Sequence, residues 1–126
     1  MKKRILFVDD EPNLLQGLRR TLRPMQRQWD MAFAGNGHEA LQLLARTSYD
    51  VVVTDIFMPE KEGLETIMEL RRTFPTTKIV AISGGGRQGN LLHALDVAEK
   101  LGAHGTLQKP FSSAQMISAV HEVMQG

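Results

Sequence analysis

Cysteine is absent from the 126 residues, which excludes disulfides and thiolate metal sites and fits a cytoplasmic chain. Long apolar runs are absent too. None approaches the roughly 20 residues that a helix needs to span a bilayer. The start, MKKR, is basic like a secretory leader, but the apolar run behind it covers only Ile5 to Val8 and meets two aspartates, so export is not expected. Charge of one sign is lacking: the formal net charge is +1 and the pI about 8.1, so no strong overall field draws the chain to nucleic acid. The local cluster Arg19, Arg20, Arg23 and Arg27 reads most simply as the solvated face of an amphipathic helix, because no nucleic-acid motif accompanies it. The histidines lack paired metal-ligand spacing. Repeats, linkers and low-complexity segments are missing, and the length suits one domain over residues 1–126.

What is present alternates. Ile5-Leu6-Phe7-Val8, Val51-Val52-Val53 and Ile79-Val80-Ala81-Ile82 are short, continuous and rich in β-branched residues, as strands covered on both faces are. Trp29-Asp30-Met31-Ala32-Phe33 partly alternates and suits an edge strand, and a fifth strand is placed over 104–108 by the rhythm of the chain. Between them run helical stripes: Leu14, Leu15, Leu18, Leu22 and Met25; then Ala40, Leu41, Leu44 and Ala45; then Leu64, Ile67, Met68 and Leu70. Leu91, Leu95, Ala98 and Leu101 make a fourth stripe, stopped by Gly102, and Met116, Ile117, Val120, Val123 and Met124 a fifth. Pro12 marks a helix start and Pro75 a helix end. Five β-α units with right-handed crossovers predict an α/β fold with a parallel sheet wound on both sides.

Ligands of such sheets gather beyond the carboxyl ends of the strands, where the strand order reverses. There the first strand ends in Asp9-Asp10-Glu11, the third in Asp55, the fourth in Ser83 and the fifth in Lys109-Pro110. Crowded carboxylates repel, so a proton or a cation must join them. Hard oxygen ligands without a thiol favour Mg²⁺, which takes one or two carboxylates and leaves room for a phosphate oxygen. Lys109 can neutralise a second phosphate oxygen and Ser83 can hydrogen-bond a third. An aspartate in that setting can act as the nucleophile and form an acyl phosphate. Solvated strand ends would explain each residue singly but not their convergence on one edge.

FVDDEP, TDIFMP, AIS and QKPF, in this order and spacing and with GHEAL in the second helix, resemble the receiver domain of two-component response regulators over essentially the whole chain. The resemblance implies a flavodoxin-like sheet of order 2-1-3-4-5 with five helices. It implies Asp55 as phosphoacceptor, with Asp10, Asp55 and the backbone carbonyl of Phe57 as Mg²⁺ ligands and Asp9 acting through a bound water. Lys109 would pair with the phosphoryl group, with a cis Lys109-Pro110 bond setting its loop, and Ser83 would move toward that group. The implied partners are a sensor histidine kinase or a histidine phosphotransfer protein. A downstream protein target would dock on the face of the fourth helix, fifth strand and fifth helix, with neither direct nucleic-acid binding nor a membrane involved. The domain would be a signalling switch that catalyses only its own phosphorylation and dephosphorylation, as a stand-alone receiver or as part of a longer protein.

Three departures from the family pattern stand out. Thr106 replaces the usual aromatic residue that swings inward on activation, Glu62 stands where aspartate is commoner, and the loop SGGGRQGN is glycine-rich. Gly84, Gly86 and Gly89 in that loop fit a dinucleotide fingerprint, but it belongs in the first β-α unit and needs an acidic residue ending the next strand. A phosphatase of the aspartyl-phosphate type needs a general acid two residues after the nucleophile, where Phe57 stands. A receiver-like module that docks partners without phosphorylation stays open as the alternative, because Thr106 cannot supply the switching ring.

Overall fold

The computed structural model describes residues 2–56, 63–83 and 102–125. Strands β1 (Lys3–Val8), β2 (Trp29–Ala34), β3 (Val51–Asp55), β4 (Lys78–Ser83) and β5 (Gly105–Gln108) form one sheet in the order β2-β1-β3-β4-β5. Every neighbouring pair is parallel. This is the flavodoxin-like order, and the reversal of direction falls between β1 and β3.

The described helices are α1 (Pro12–Thr21), α2 (Gly37–Arg46), α3 (Gly63–Thr73) and α4 (Ser113–Gln125), with a 3₁₀ turn at Arg23–Arg27. The stripe Leu91, Leu95, Ala98 and Leu101 lies outside the described residues, as do Phe57, Glu62 and the glycine loop with Gly84, Gly86 and Gly89. Among the described residues the helices therefore number four where the sequence predicts five. None of them is long and apolar enough to cross a membrane.

The period of two along each strand builds two cores. Ile5, Phe7, Val51, Val53, Val80 and Ile82 point to one face, where Leu18 of α1 and Met116, Val120 and Val123 of α4 cover them. Leu6, Val8, Val52, Ile79 and Ala81 point to the other, under Ala40 and Leu44 of α2 and Ile67 and Leu70 of α3. Burial on both faces explains why the three inner strands read as unbroken apolar runs.

One predicted stripe divides. Leu14 to Met25 reads as a single helix, yet α1 stops at Thr21 and the 3₁₀ turn begins with Pro24 in its first turn. Proline has no N–H for the bond back to the preceding turn, and its ring crowds the carbonyl there. Leu22 and Met25 are nevertheless buried with the α1 core, so the tighter turn keeps the apolar side inward. At the other end Ser112 caps α4 reciprocally: the Gln115 amide donates to its hydroxyl (3.0 Å) while its own amide donates to the Gln115 side chain (2.8 Å). Gly102 has a φ of 123°, a conformation in which a Cβ is strained.

Candidate functional site

Parallel strands all end on the same side of the sheet, so the ends of β1, β3, β4 and β5 share one edge. β3 carries Asp55 as its last residue and β4 carries Ser83 as its last, both buried. Asp9 follows β1, and its amide donates to the Ala34 carbonyl at 3.1 Å, extending the β1–β2 ladder one residue past the strand. Its Oδ1 accepts from the Glu11 amide at 2.9 Å, an aspartate-initiated turn that leads the chain into α1. Lys109 follows β5 and is tied to β4 by its amide, which donates to the Ser83 carbonyl at 2.9 Å. The Lys109-Pro110 bond is cis, as the family resemblance implies.

The lysine is the hub. Its Nζ lies 2.7 Å from Asp55 Oδ2, 2.9 Å from Glu11 Oε1 and 3.1 Å from Asp9 Oδ2. The first two are hydrogen bonds. The third is close enough for Coulombic attraction, but it is not aligned, and Asp9 Oδ2 is buried without a hydrogen-bond partner among the described residues. Oxygens of Asp9, Glu11 and Asp55 all lie within 4.8 Å of one another.

Electrostatics follow from this crowding. Burial of Asp9, then the charge of Asp55, pushes its carboxyl up to about 7, against the Glu11 amide and the Lys109 ammonium that favour the charged form. Burial works against the Lys109 charge, but the hydrogen bonds to Asp55 and Glu11 and the charges of Asp55 and Asp9 outweigh it and raise the ammonium above the usual lysine range.

Of the residues singled out in the sequence, Asp9, Asp55 and Lys109 are in direct contact, and Ser83 is joined to them through the Lys109 backbone. Asp10 is exposed and stands outside the three-carboxylate group. Phe57 lies outside the described residues. Glu11 takes part although the sequence reading gives it no role. It holds the N-cap position of α1 but caps no amide with its side chain, which reaches Lys109 instead. The available signal was an acidic residue immediately before a helix-starting proline, at the same strand end as the other carboxylates.

A hard cation suits this donor set. All the side-chain donors are oxygens, and Asp9 Oδ2 is a buried, negatively polarised atom that lacks an aligned partner. The cluster is compatible with Mg²⁺.

A doubly wound parallel sheet with three carboxylates and a lysine gathered at the carboxyl ends of its strands defines the class of α/β domains that bind ligands at that edge. The family model of the response regulator receiver domain matches residues 5–121. The chain is 32% identical over 126 residues to a chemotaxis protein CheY of Thermotoga maritima, covering 98% of each chain. It is 30% identical to the transcriptional regulatory protein DegU of Brevibacillus brevis, covering 99% of this chain and 51% of that one. A receiver domain of a Francisella response regulator superimposes with a TM-score of 0.81 at 27% identity, covering 98% of both chains. The chain belongs to the response regulator receiver family of two-component systems. It spans about half the length of relatives such as DegU.

Proposed function

We propose that the domain, covering residues 1–126, is a phosphoacceptor switch that takes a phosphoryl group from phosphohistidine onto Asp55. The observation that carries this reading is the Lys109 ammonium bound at 2.7 Å to the buried Asp55 carboxylate, at the β1–β3 reversal where such sheets bind ligands.

An Asp55 carboxylate oxygen attacks phosphorus in line with the phosphorus–nitrogen bond of the donor. That bond breaks, its electron pair stays on the imidazole nitrogen, which takes a proton from water, and an acyl phosphate remains on Asp55. Asp55 is held for the attack as the last residue of β3, where its main chain is fixed by the ladder to Ile82. Lys109, already beside the attacking carboxylate, neutralises an oxygen of the arriving phosphoryl group. Ser83, on the neighbouring strand, donates its hydroxyl to another, which draws the end of β4 toward the site. Asp10, Asp55 and the Phe57 carbonyl would hold Mg²⁺, with Asp9 acting through water and Glu11 close by. When bound, Mg²⁺ offsets the negative charge of carboxylates and phosphoryl group as a Lewis acid.

The donor is a sensor histidine kinase or a histidine phosphotransfer protein, and the output is a protein target on the face formed by the fourth predicted helix, β5 and α4. Chemistry is confined to the domain's own phosphorylation and dephosphorylation. Incubation with a small phosphodonor and Mg²⁺ followed by intact-mass measurement tests the reading. One added phosphoryl group is expected on the wild type, with none on Asp55→Asn and none in chelator. Equal labelling of the variant would remove Asp55 from its role, and no labelling of the wild type would favour docking without phosphorylation.

A further inference from the structure

The cationic cluster that the phosphoacceptor reading leaves unused flanks an open strand. β2 is an edge of the sheet. The carbonyls of Gln28 and Ala34 accept from the amides of Lys3 and Asp9, so both residues face β1. Because a parallel strand alternates direction every residue, Asp30 and Ala32 face β1 as well, and the main-chain groups of Trp29, Met31 and Phe33 face outward. Among the described residues no main-chain hydrogen bond closes that side. The edge carries no proline and no lysine, the usual guards of an open strand.

A concavity of about 470 Å³ runs along the α1 side of β2, lined by Lys2, Arg19, Arg23, Met31 and Phe33 among others. Its three cations are exposed. The Arg19 guanidinium sits over the Phe33 ring at 4.1 Å from the centroid, which in turn stacks on buried Phe7 at 5.3 Å. The arginine is thereby held against the strand it borders. Among the described residues the one acid lining this groove, Asp30, is already paired with Lys2 at 3.6 Å. A second, smaller concavity, of about 270 Å³, lies along the strand with Arg4, Ala32 and Tyr49 in its wall.

We infer that the β2 edge is a docking site for an extended acidic segment of a partner polypeptide, which adds a strand beside Trp29, Met31 and Phe33. The outward main-chain groups supply the hydrogen bonds of strand addition, and alternate side chains of the segment fall toward the Arg19–Arg23 groove, where carboxylates meet two guanidinium groups that make no ion pair among the described residues. A second copy of this chain fits poorly, because pairing two β2 edges brings two sets of Lys2, Arg19 and Arg23 together. The site is separate from the Asp55 cluster and does not depend on its phosphorylation.

The probe is a synthetic peptide of about eight residues alternating glutamate with valine, titrated into the ¹⁵N-labelled full chain. Amide signals of Trp29, Met31 and Phe33 are expected to shift saturably and to gain protection from exchange. A lysine–valine peptide of the same length should leave them in place. Met31→Pro removes an outward donor without breaking the ladder to β1, an edge position where proline is tolerated, and should weaken binding at least about tenfold. Arg19→Glu with Arg23→Glu should do the same, and it carries the test alone if the proline variant does not fold. Equal binding of the lysine peptide would overturn the inference. So would tighter binding of a single-stranded oligonucleotide to the same amides, or concentration-dependent self-association through β2 without peptide.

Discussion

Replacing Asp9 by asparagine should make the metal-free domain more stable above neutral pH. Asp9 is 2% exposed, and its carboxyl is raised from 3.8 to about 7, chiefly by burial and next by the charge of Asp55. The folded state therefore binds a proton more tightly than the unfolded state does. Between pH 4 and pH 7 the wild type loses stability as the pH rises, because the native carboxyl must give up a proton that the unfolded chain has already lost. At about 1.4 kcal/mol per pH unit, the full shift corresponds to a ceiling on the order of 4 kcal/mol. Asparagine keeps the acceptor for the Glu11 amide, but it sets an NH₂ where Oδ2 stands 3.1 Å from the Lys109 ammonium. That donor-to-donor approach costs about 1–2 kcal/mol, which leaves a net gain of at most about 2–3 kcal/mol at pH 8.

Urea unfolding in chelator at pH 5, 6, 7 and 8 reads this directly. The variant should unfold at a higher midpoint at pH 8, by up to roughly 1 M, and the gap should close progressively toward pH 5. Saturating Mg²⁺ should stabilise the wild type by mass action and narrow the gap. A wild type as stable as the variant at pH 8, or a gap that does not change with pH, would show that the Asp9 carboxylate is not the strained member of the cluster.

Three other outcomes follow from the same geometry. Mg²⁺ affinity measured by calorimetry should rise by up to about tenfold per pH unit below 7 and level off above it, with proton release on binding, because the Asp9 proton competes with the ion; affinity independent of pH between 5 and 8 would oppose this. Lys109→Met leaves Asp9, Glu11 and Asp55 without the ammonium that contacts all three, and should lower stability in chelator at pH 8 by about 3 kcal/mol, with most of the loss recovered in Mg²⁺. Gly102→Ala should cost about 1–3 kcal/mol by thermal unfolding, since φ is 123° and the added methyl meets the Arg71 side chain.

The sheet was legible because double-sided burial leaves a mark. Val51, Val52 and Val53 are all buried, so nothing polar interrupts them, and the same holds in β4 from Ile79 to Ile82. The break in the first stripe was harder to see. Leu22 and Met25 keep their helical spacing, and only Pro24 between them signals that the hydrogen bonding changes to a 3₁₀ turn. Within the site, Asp55 and Lys109 could be placed from the strand ends alone, because a parallel sheet brings all such ends to one edge. The separate fates of Asp9, Asp10 and Glu11 could not. Three consecutive acids look alike in sequence, and what distinguishes them is the turn: the Asp9 side chain folds inward to take the Glu11 amide, Asp10 is exposed, and Glu11 reaches Lys109 across the site.

That turn also bears on how the switch holds itself ready. Lys109 grips carboxylates from two separate places, the β1–α1 turn and the end of β3, while its own backbone is hydrogen-bonded to Ser83. A phosphoryl group on Asp55 adds charge at one of these contacts and none at the others, so the ammonium's balance moves toward β3 and away from Glu11. Glu11 is the member able to yield at low cost, since its side chain is 63% exposed and water can replace the lysine. Asp9 is not, being buried with an oxygen that already lacks an aligned partner. On the phosphoacceptor reading, the first movement on the α1 side is therefore release of Glu11 at the helix N-cap, while Asp9 stays fixed. On the same reading Lys109, whose amide donates a hydrogen bond to the Ser83 carbonyl, carries the other part of the change toward the end of β4, the strand end that precedes the glycine-rich loop.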